Sequence, residues 1–317
     1  MKAFFYIGIL FALTISITSC VDESPTNYDT TLHSSPESLT FFVIGDWGRD
    51  GNNNQQRTAA EMNAAAIYLQ PNFIISTGDN IYANGVQSVN DSHWKSSFED
   101  VYDGANINIP WYVVLGNHDY QGNVQAEIDY SGINQQWNLP SRYYSFLQNL
   151  PDNSTALFIF LDTNQFESDY YNSPNQYPDL VNTEPSLQIE WLKQLLKDTN
   201  ADWIIVTGHH PVYTGGGRRN ARLGTKLILK PIFDQYNVDA YFCGHEHDLQ
   251  HLKDPGNSTN YFVSGAGSNM SWTGTISQTL FSVSTNGFVA ISLNKNEMTV
   301  QFIADNDDVI YRTSIVK

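Results

Sequence analysis

Five times along this chain a short apolar run ends in a glycine that is followed at once by Asp, Asn or His. Ile44 leads into Gly45-Asp46-Trp47-Gly48, and Thr77 into Gly78-Asp79-Asn80 with Tyr82 just beyond. Leu115 leads into Gly116-Asn117-His118-Asp119, Thr207 into Gly208-His209-His210, and Cys243 into Gly244-His245-Glu246-His247. Apolar runs of strand length closed by glycine read as buried strands ending in sharp turns. Each turn presents its next residue at the carboxyl edge of a sheet, where α/β folds bind ligands.

Five of the eight histidines fall in these turns, which separates a site from histidines scattered over a surface. Carboxylate, amide carbonyl and imidazole together suit hard or borderline metal ions. The only nearby cysteine, Cys243, ends an apolar run and reads as a small buried residue, so a structural zinc site is disfavoured.

The spacing predicts strands over residues 41–44, 73–76, 111–115, 157–161, 203–207 and 240–243. It predicts helices over 55–69, 186–197 and 223–236, the first with Ala59, Met62, Ala66 and Leu69 at helical intervals. A β meander follows over 261–264, 287–293, 298–304 and 309–315. Mostly βα first and β last, this order implies a layered α/β domain from 39 to 317 with helices outside central sheets. Stretches 121–145 and 164–184 are polar and aromatic, and are expected to be loops shaping a binding site.

Residues 1–19 have a basic start and an apolar run too short to span a bilayer, as in a signal peptide. Ile17-Thr18-Ser19-Cys20 resembles the bacterial lipobox, which implies a lipid on Cys20 and an exported protein anchored to a membrane face. An ordinary signal peptide ending near a cysteine is the alternative. Residues 20–38 then form an acidic, flexible tether. The net charge of −17 repels nucleic acid and anionic membrane surfaces. A small phosphate ester, held by local cations, remains compatible with it.

Together the five turns resemble the calcineurin-like metallophosphoesterases, and within them the small, tartrate-resistant type of purple acid phosphatase. The family pattern GDxG, GDxxY, GNH[DE], a post-strand His and GHxH stands here as GDWG, GDNIY, GNHD, GHHP and GHEH. Trp137-Asn138-Leu139-Pro140 extends the likeness. Generic members carry a His two residues after the first Asp; here Gly48 stands there and Tyr82 supplies the missing ligand.

The resemblance implies a four-layer α/β/β/α sandwich of two mixed sheets flanked by helices. It implies Fe(III) on Asp46, Asp79, Tyr82 and His247. A second divalent metal, Fe(II), Zn(II) or Mn(II), then sits on Asp79, Asn117, His209 and His245. In that scheme a coordinated water attacks phosphorus, His118 protonates the leaving group, and Asp119 orients His118 by hydrogen bonding. Asn117, His118 and His210 face the substrate. Arg218 and Arg219, after a mobile Gly215-Gly216-Gly217, either clamp phosphate or form a solvated basic turn, where family members have a second His. The expected activity is acid phosphatase, from a monomer. The rivals are a phosphodiesterase or nucleotide hydrolase on the same fold, and a surface lipoprotein that binds a phosphorylated ligand without turnover.

Overall fold

The computed structural model describes residues 31–219 and 223–317. The expected leader, Cys20 and the first part of the tether lie outside the described residues. The rest of the tether is docked rather than loose. His33 exchanges two backbone hydrogen bonds with the Gln301 side chain, at 2.7 and 2.9 Å, and Leu32 packs on the core.

Fourteen strands are described: β1 (Leu39–Ile44), β2 (Phe73–Ser76), β3 (Trp111–Val113), β4 (Trp137–Asn138), β5 (Tyr144–Asn149), β6 (Thr155–Phe160), β7 (Trp203–Thr207), β8 (Ala240–Cys243), β9 (Leu249–Lys253), β10 (Asn260–Ser264), β11 (Thr279–Val283), β12 (Gly287–Leu293), β13 (Glu297–Ala304) and β14 (Val309–Val316). They form two seven-stranded sheets, ordered β14-β13-β12-β1-β2-β3-β4 and β11-β9-β10-β8-β7-β6-β5. In the first sheet β1 to β4 run parallel, and β12 turns the order antiparallel. In the second, β6, β7, β8 and β10 are parallel.

Strands buried on both faces read as continuous apolar runs, and these do. β1 sends Phe41 and Val43 between the sheets and Phe42 and Ile44 to the outer face. β6 does the same with Phe158 and Phe160 against Leu157 and Ile159. The inner layer is aromatic: Phe41 stacks on Phe73 at 5.1 Å and meets Phe158 edge-on at 5.4 Å. Each such fully buried ring contributes about 1.5–3 kcal/mol. Helix α1 (Gln55–Leu69) covers the first sheet through Met62, Ala66 and Leu69. The outer face of the second sheet is covered by Leu192 and Leu196 of Pro185–Asp198 and by Leu229 and Phe233 of Gly224–Tyr236. The result is the four-layer sandwich.

The two expected loops carry more structure than their polarity suggested. Stretch 121–145 contains the helix Val124–Tyr130, all of β4 and the start of β5. Two of its aromatics, Tyr130 and Trp137, are core rather than loop surface: Trp94 stacks on Tyr130 at 3.6 Å, and the Trp137 indole donates to the Glu127 carbonyl. Stretch 164–184 holds the helical turn Ser168–Tyr171 and buries Tyr170, Tyr177 and Leu180.

Candidate metal centre

The parallel strands β1, β2 and β3 of one sheet, and β7 and β8 of the other, deliver all five turns to one edge of the sandwich. The conformational demand falls mainly on the residues after the glycines. Asp46, Asp79 and His245 have φ of 58°, 49° and 69°, a left-handed conformation that side chains rarely adopt. The glycines are needed for closeness. A Cβ on Gly116 would lie 2.2 Å from Asp79 Oδ1, and one on Gly244 would lie 2.4 Å from Asp46 Oδ2.

Two overlapping clusters result. The Tyr82 hydroxyl lies 3.0 Å from Asp46 Oδ1, 3.0 Å from Asp79 Oδ2 and 3.1 Å from His247 Nε2. On the other side of Asp79, its Oδ1 lies 3.4 Å from His209 Nε2. That nitrogen also sits 3.3 Å from Asn117 Oδ1 and 3.2 Å from His245 Nδ1. Asp79 therefore turns one oxygen to each cluster.

The donor set fits cations. His209 Nδ1 lies 2.9 Å from the Thr77 carbonyl, which can only accept, so the proton sits on Nδ1. Nε2 is then a lone pair aimed at a carboxylate oxygen and an amide oxygen, an arrangement that a metal ion satisfies. In the other cluster a single phenolic proton faces two carboxylates. Burial, and after it Asp46 and Asp79, push the Tyr82 phenol well above its usual range, while Arg49 opposes them. Burial alone would raise Asp79, but His209, His118 and the His118 amide outweigh it, so its carboxyl is held low. His247 is raised: burial works against its charge, and the Asp46 carboxylate overrides that.

His118 is one third exposed, with Nε2 3.9 Å from Asp79 Oδ2. Its Nδ1 is held by the Ala83 carbonyl. The expected orienting bond from Asp119 is not made. Asp119 is fully buried and accepts from the backbone amides of Asn80, Ile81 and Gly116 and from the Asn80 side chain. It ties the second turn to the third. Asn80 continues the tie through Ser76 to the Trp47 indole of the first turn.

A cleft of about 410 Å³ opens over the clusters, lined by Asp79, Asn117, His118, Gln121, Gln176, Tyr177, Arg218 and His245. Gln121, Gln176 and Tyr177 come from the two stretches expected to shape a site. His210 lines a neighbouring cavity instead, fully buried between Thr163 Oγ1 at 2.9 Å and the Tyr170 hydroxyl at 2.7 Å. The two arginines part company. Arg218 borders the cleft, but its Nη1 donates to the His245 carbonyl at 2.7 Å and pairs with buried Glu246. Arg219 borders the neighbouring cavity and not the cleft.

The first two glycines of the triplet are pinned where mobility was expected, while Gly217 stands open. Gly215 donates to Gln250 and accepts from Gly274, and a Cβ on Gly216 would lie 2.5 Å from the Glu246 carboxyl. Sequence reasoning also passed over Arg49, whose guanidinium covers the Tyr82 ring, and Glu246. Their places beside motif residues were the available signal.

Residues 39–249 match the family described as calcineurin-like phosphoesterase. The chain is 36% identical over 308 residues to tartrate-resistant acid phosphatase type 5 of Oryctolagus cuniculus, covering 88% of this chain and 91% of that protein. It is 35% identical over 276 residues to purple acid phosphatase 4 of Arabidopsis thaliana, covering 84% and 80%. Among solved structures it superposes on GAP50, described as the anchor in the inner membrane complex of Plasmodium. The TM-score is 0.76 at 27% identity, with coverage of 88% and 89%. The chain thus belongs to the calcineurin-like phosphoesterases and, within them, to the purple acid phosphatases, phosphoric monoester hydrolases with a binuclear, iron-containing metal centre.

Proposed function

We propose that this acid phosphatase holds Fe(III) on Asp46, Asp79, Tyr82 and His247, and a divalent ion, Fe(II), Zn(II) or Mn(II), on Asp79, Asn117, His209 and His245. The observation that carries the assignment is the divided Asp79 carboxylate, Oδ2 toward Tyr82 and Oδ1 toward His209. The first set is anionic and hard, as a trivalent ion requires; the second is neutral apart from the shared carboxylate. Two such cations supply Lewis acidity and a nucleophilic water near neutral or acid pH.

The remaining steps belong to side chains. With Nδ1 committed to Ala83, His118 turns Nε2 to the cleft, where in its protonated form it donates to the departing alkoxide. Asn117 lines the same cleft and orients phosphate oxygens, while Arg218, held by Glu246 and the His245 carbonyl, forms part of the cleft wall. His210 has no such role, because both its nitrogens meet hydroxyls outside the cleft.

The likeness to a protein described as an anchor keeps a non-catalytic reading in view. The complete donor set with His118 above it favours turnover. Purified protein is expected to contain iron, to be coloured, and to change colour on reduction. It should release phosphate from a monoester faster than from a bis-ester. Iron-free, colourless protein that still hydrolyses monoesters would overturn the metal assignment, and metal-dependent ligand binding without phosphate release would favour the anchor-like reading. The lipobox pattern at Cys20 supports attachment to a membrane by lipid, which fatty-acid labelling lost in Cys20→Ser would test.

A further inference from the structure

We propose that the cavity beside the metal cleft is a second anion subsite, and that favoured substrates are phosphate monoesters whose leaving group carries a second phosphate. The inference rests on the phosphatase reading and adds a substrate class to it. The cavity measures about 430 Å³ and adjoins the cleft across Arg218 and His245, which line both.

Its chemistry differs from that of the molecule around it. The chain has 33 acidic residues against 16 basic ones, yet among the described residues no Asp or Glu lines this cavity, while Arg219 and Lys226 do. Neither has an ion-pair partner among the described residues. Each rests on an aromatic ring: Lys226 Nζ lies 4.3 Å from the Tyr213 centroid, and Arg219 Cζ lies 5.8 Å from that of Trp272. Arg218 is already engaged by Glu246 and the His245 carbonyl, so it serves as the partition between the two cavities.

The walls are built. The loop bearing the arginines is bonded to the opposite loop through Gly274 N to Gly215 O at 3.1 Å, and Ile276 N is held by Thr279 Oγ1 at 2.9 Å. Ile276 gives the carbon skeleton of a leaving group an apolar surface. A phosphate at the metals and a second one on Arg219 and Lys226 would place that skeleton across the Arg218 partition. Only the first is hydrolysed: its P–O bond breaks, water supplies the new oxygen, and the alkoxide retains the distal phosphate and takes its proton from His118.

The test compares propane-1,3-bisphosphonate with propylphosphonate by calorimetric titration of the metal-loaded full chain, with the ethane and butane bisphosphonates covering other separations. At least one bisphosphonate should bind about tenfold tighter than the monophosphonate. The advantage should largely vanish in Lys226→Gln and return in Lys226→Arg. In kinetics, 3-phosphonopropyl phosphate should show a higher kcat/KM than 3-hydroxypropyl phosphate, and Lys226→Gln should lower the first and leave the second unchanged. An absent advantage in every bisphosphonate, or one that survives Lys226→Gln, overturns the subsite even if both esters are hydrolysed. A Lys226-dependent advantage with no phosphate released from either ester would keep the subsite and sink the catalytic reading instead.

Discussion

The guanidinium carbon of Arg49 lies 3.5 Å from the centroid of the Tyr82 ring. It is fixed there by Ser268, whose hydroxyl accepts from Arg49 Nε at 3.1 Å and donates to the Asp46 carbonyl at 2.7 Å. A cation over the ring stabilises phenolate electrons that would otherwise be raised by Asp46 and Asp79. In a phenolate-to-Fe(III) chromophore, Arg49→Leu should shift the visible band to longer wavelength. Stabilisation of about 1 kcal/mol corresponds to a shift on the order of 10 nm. Absorption spectra at equal iron content check this, and an unchanged band would place Arg49 outside the electronic environment of Tyr82.

His118 occupies the cleft with only its Nδ1 held, by a backbone carbonyl. Removing it leaves all proposed metal donors in place. His118→Ala is therefore expected to lower kcat by about 10²–10⁴-fold while metal content stays near that of the parent. Activity assays beside elemental analysis decide the matter, since parallel loss of metal and turnover would make His118 a structural residue.

Gly116 and Gly217 make a matched pair. A Cβ on Gly116 would stand 2.2 Å from both the amide nitrogen and Oδ1 of Asp79, whereas nothing lies within 4 Å of one on Gly217. Gly116→Ala must displace the shared carboxylate, and a loss of about 10–100-fold in metal affinity is expected. Gly217→Ala should change stability by no more than about 0.5 kcal/mol. Metal titration of the two variants would show the contrast, and similar affinities would mean that the Asp79 loop yields without consequence.

How much of this was legible in the sequence follows from range. Strand ends followed by Gly and a polar residue are local signals, and burial on both faces made β1, β2, β7 and β8 readable as apolar runs. Contacts between turns were not readable. Asp119 was expected to serve its neighbour His118, but a fully buried carboxylate is drawn to unpaired amides, and those lie across the fold at Asn80 and Ile81. The glycine triplet suggested mobility because Gly is permissive in isolation, yet Gly274 leaves no room for a side chain at Gly215 and Glu246 leaves none at Gly216. Aromatics in 121–145 read as loop because Trp94 and Tyr130, which stack, are separated by a long stretch of chain.

The last prediction concerns His251, in β9, which is almost wholly buried and stacks on Phe262 at 4.5 Å. The Asn260 amide nitrogen donates to the Ser258 carbonyl, so its Oδ1 faces His251 Nε2 at 3.2 Å and fixes the proton there. Nδ1 is left to accept from the Tyr311 hydroxyl at 2.8 Å. Both ring nitrogens are served by the neutral form, and burial, opposed by the Asn260 hydrogen bond and aided by a smaller push from Lys253, lowers the pKa from 6.5 to about 4. Between those two values the unfolded chain binds a proton that the folded one refuses. The stability that depends on neutral His251 is complete above pH 6.5 and declines as pH falls toward 4. By pH 4.5 the decline is about 2–3 kcal/mol. In His251→Gln the ring is gone and this dependence with it, while the remaining pH-dependent contributions are common to both proteins. Urea unfolding at pH 7 and pH 4.5 should therefore show the parent losing about 2–3 kcal/mol more than the variant. Equal losses in the two proteins would mean that His251 is charged in the fold, and that Tyr311 or Asn260 has turned to accept its second proton.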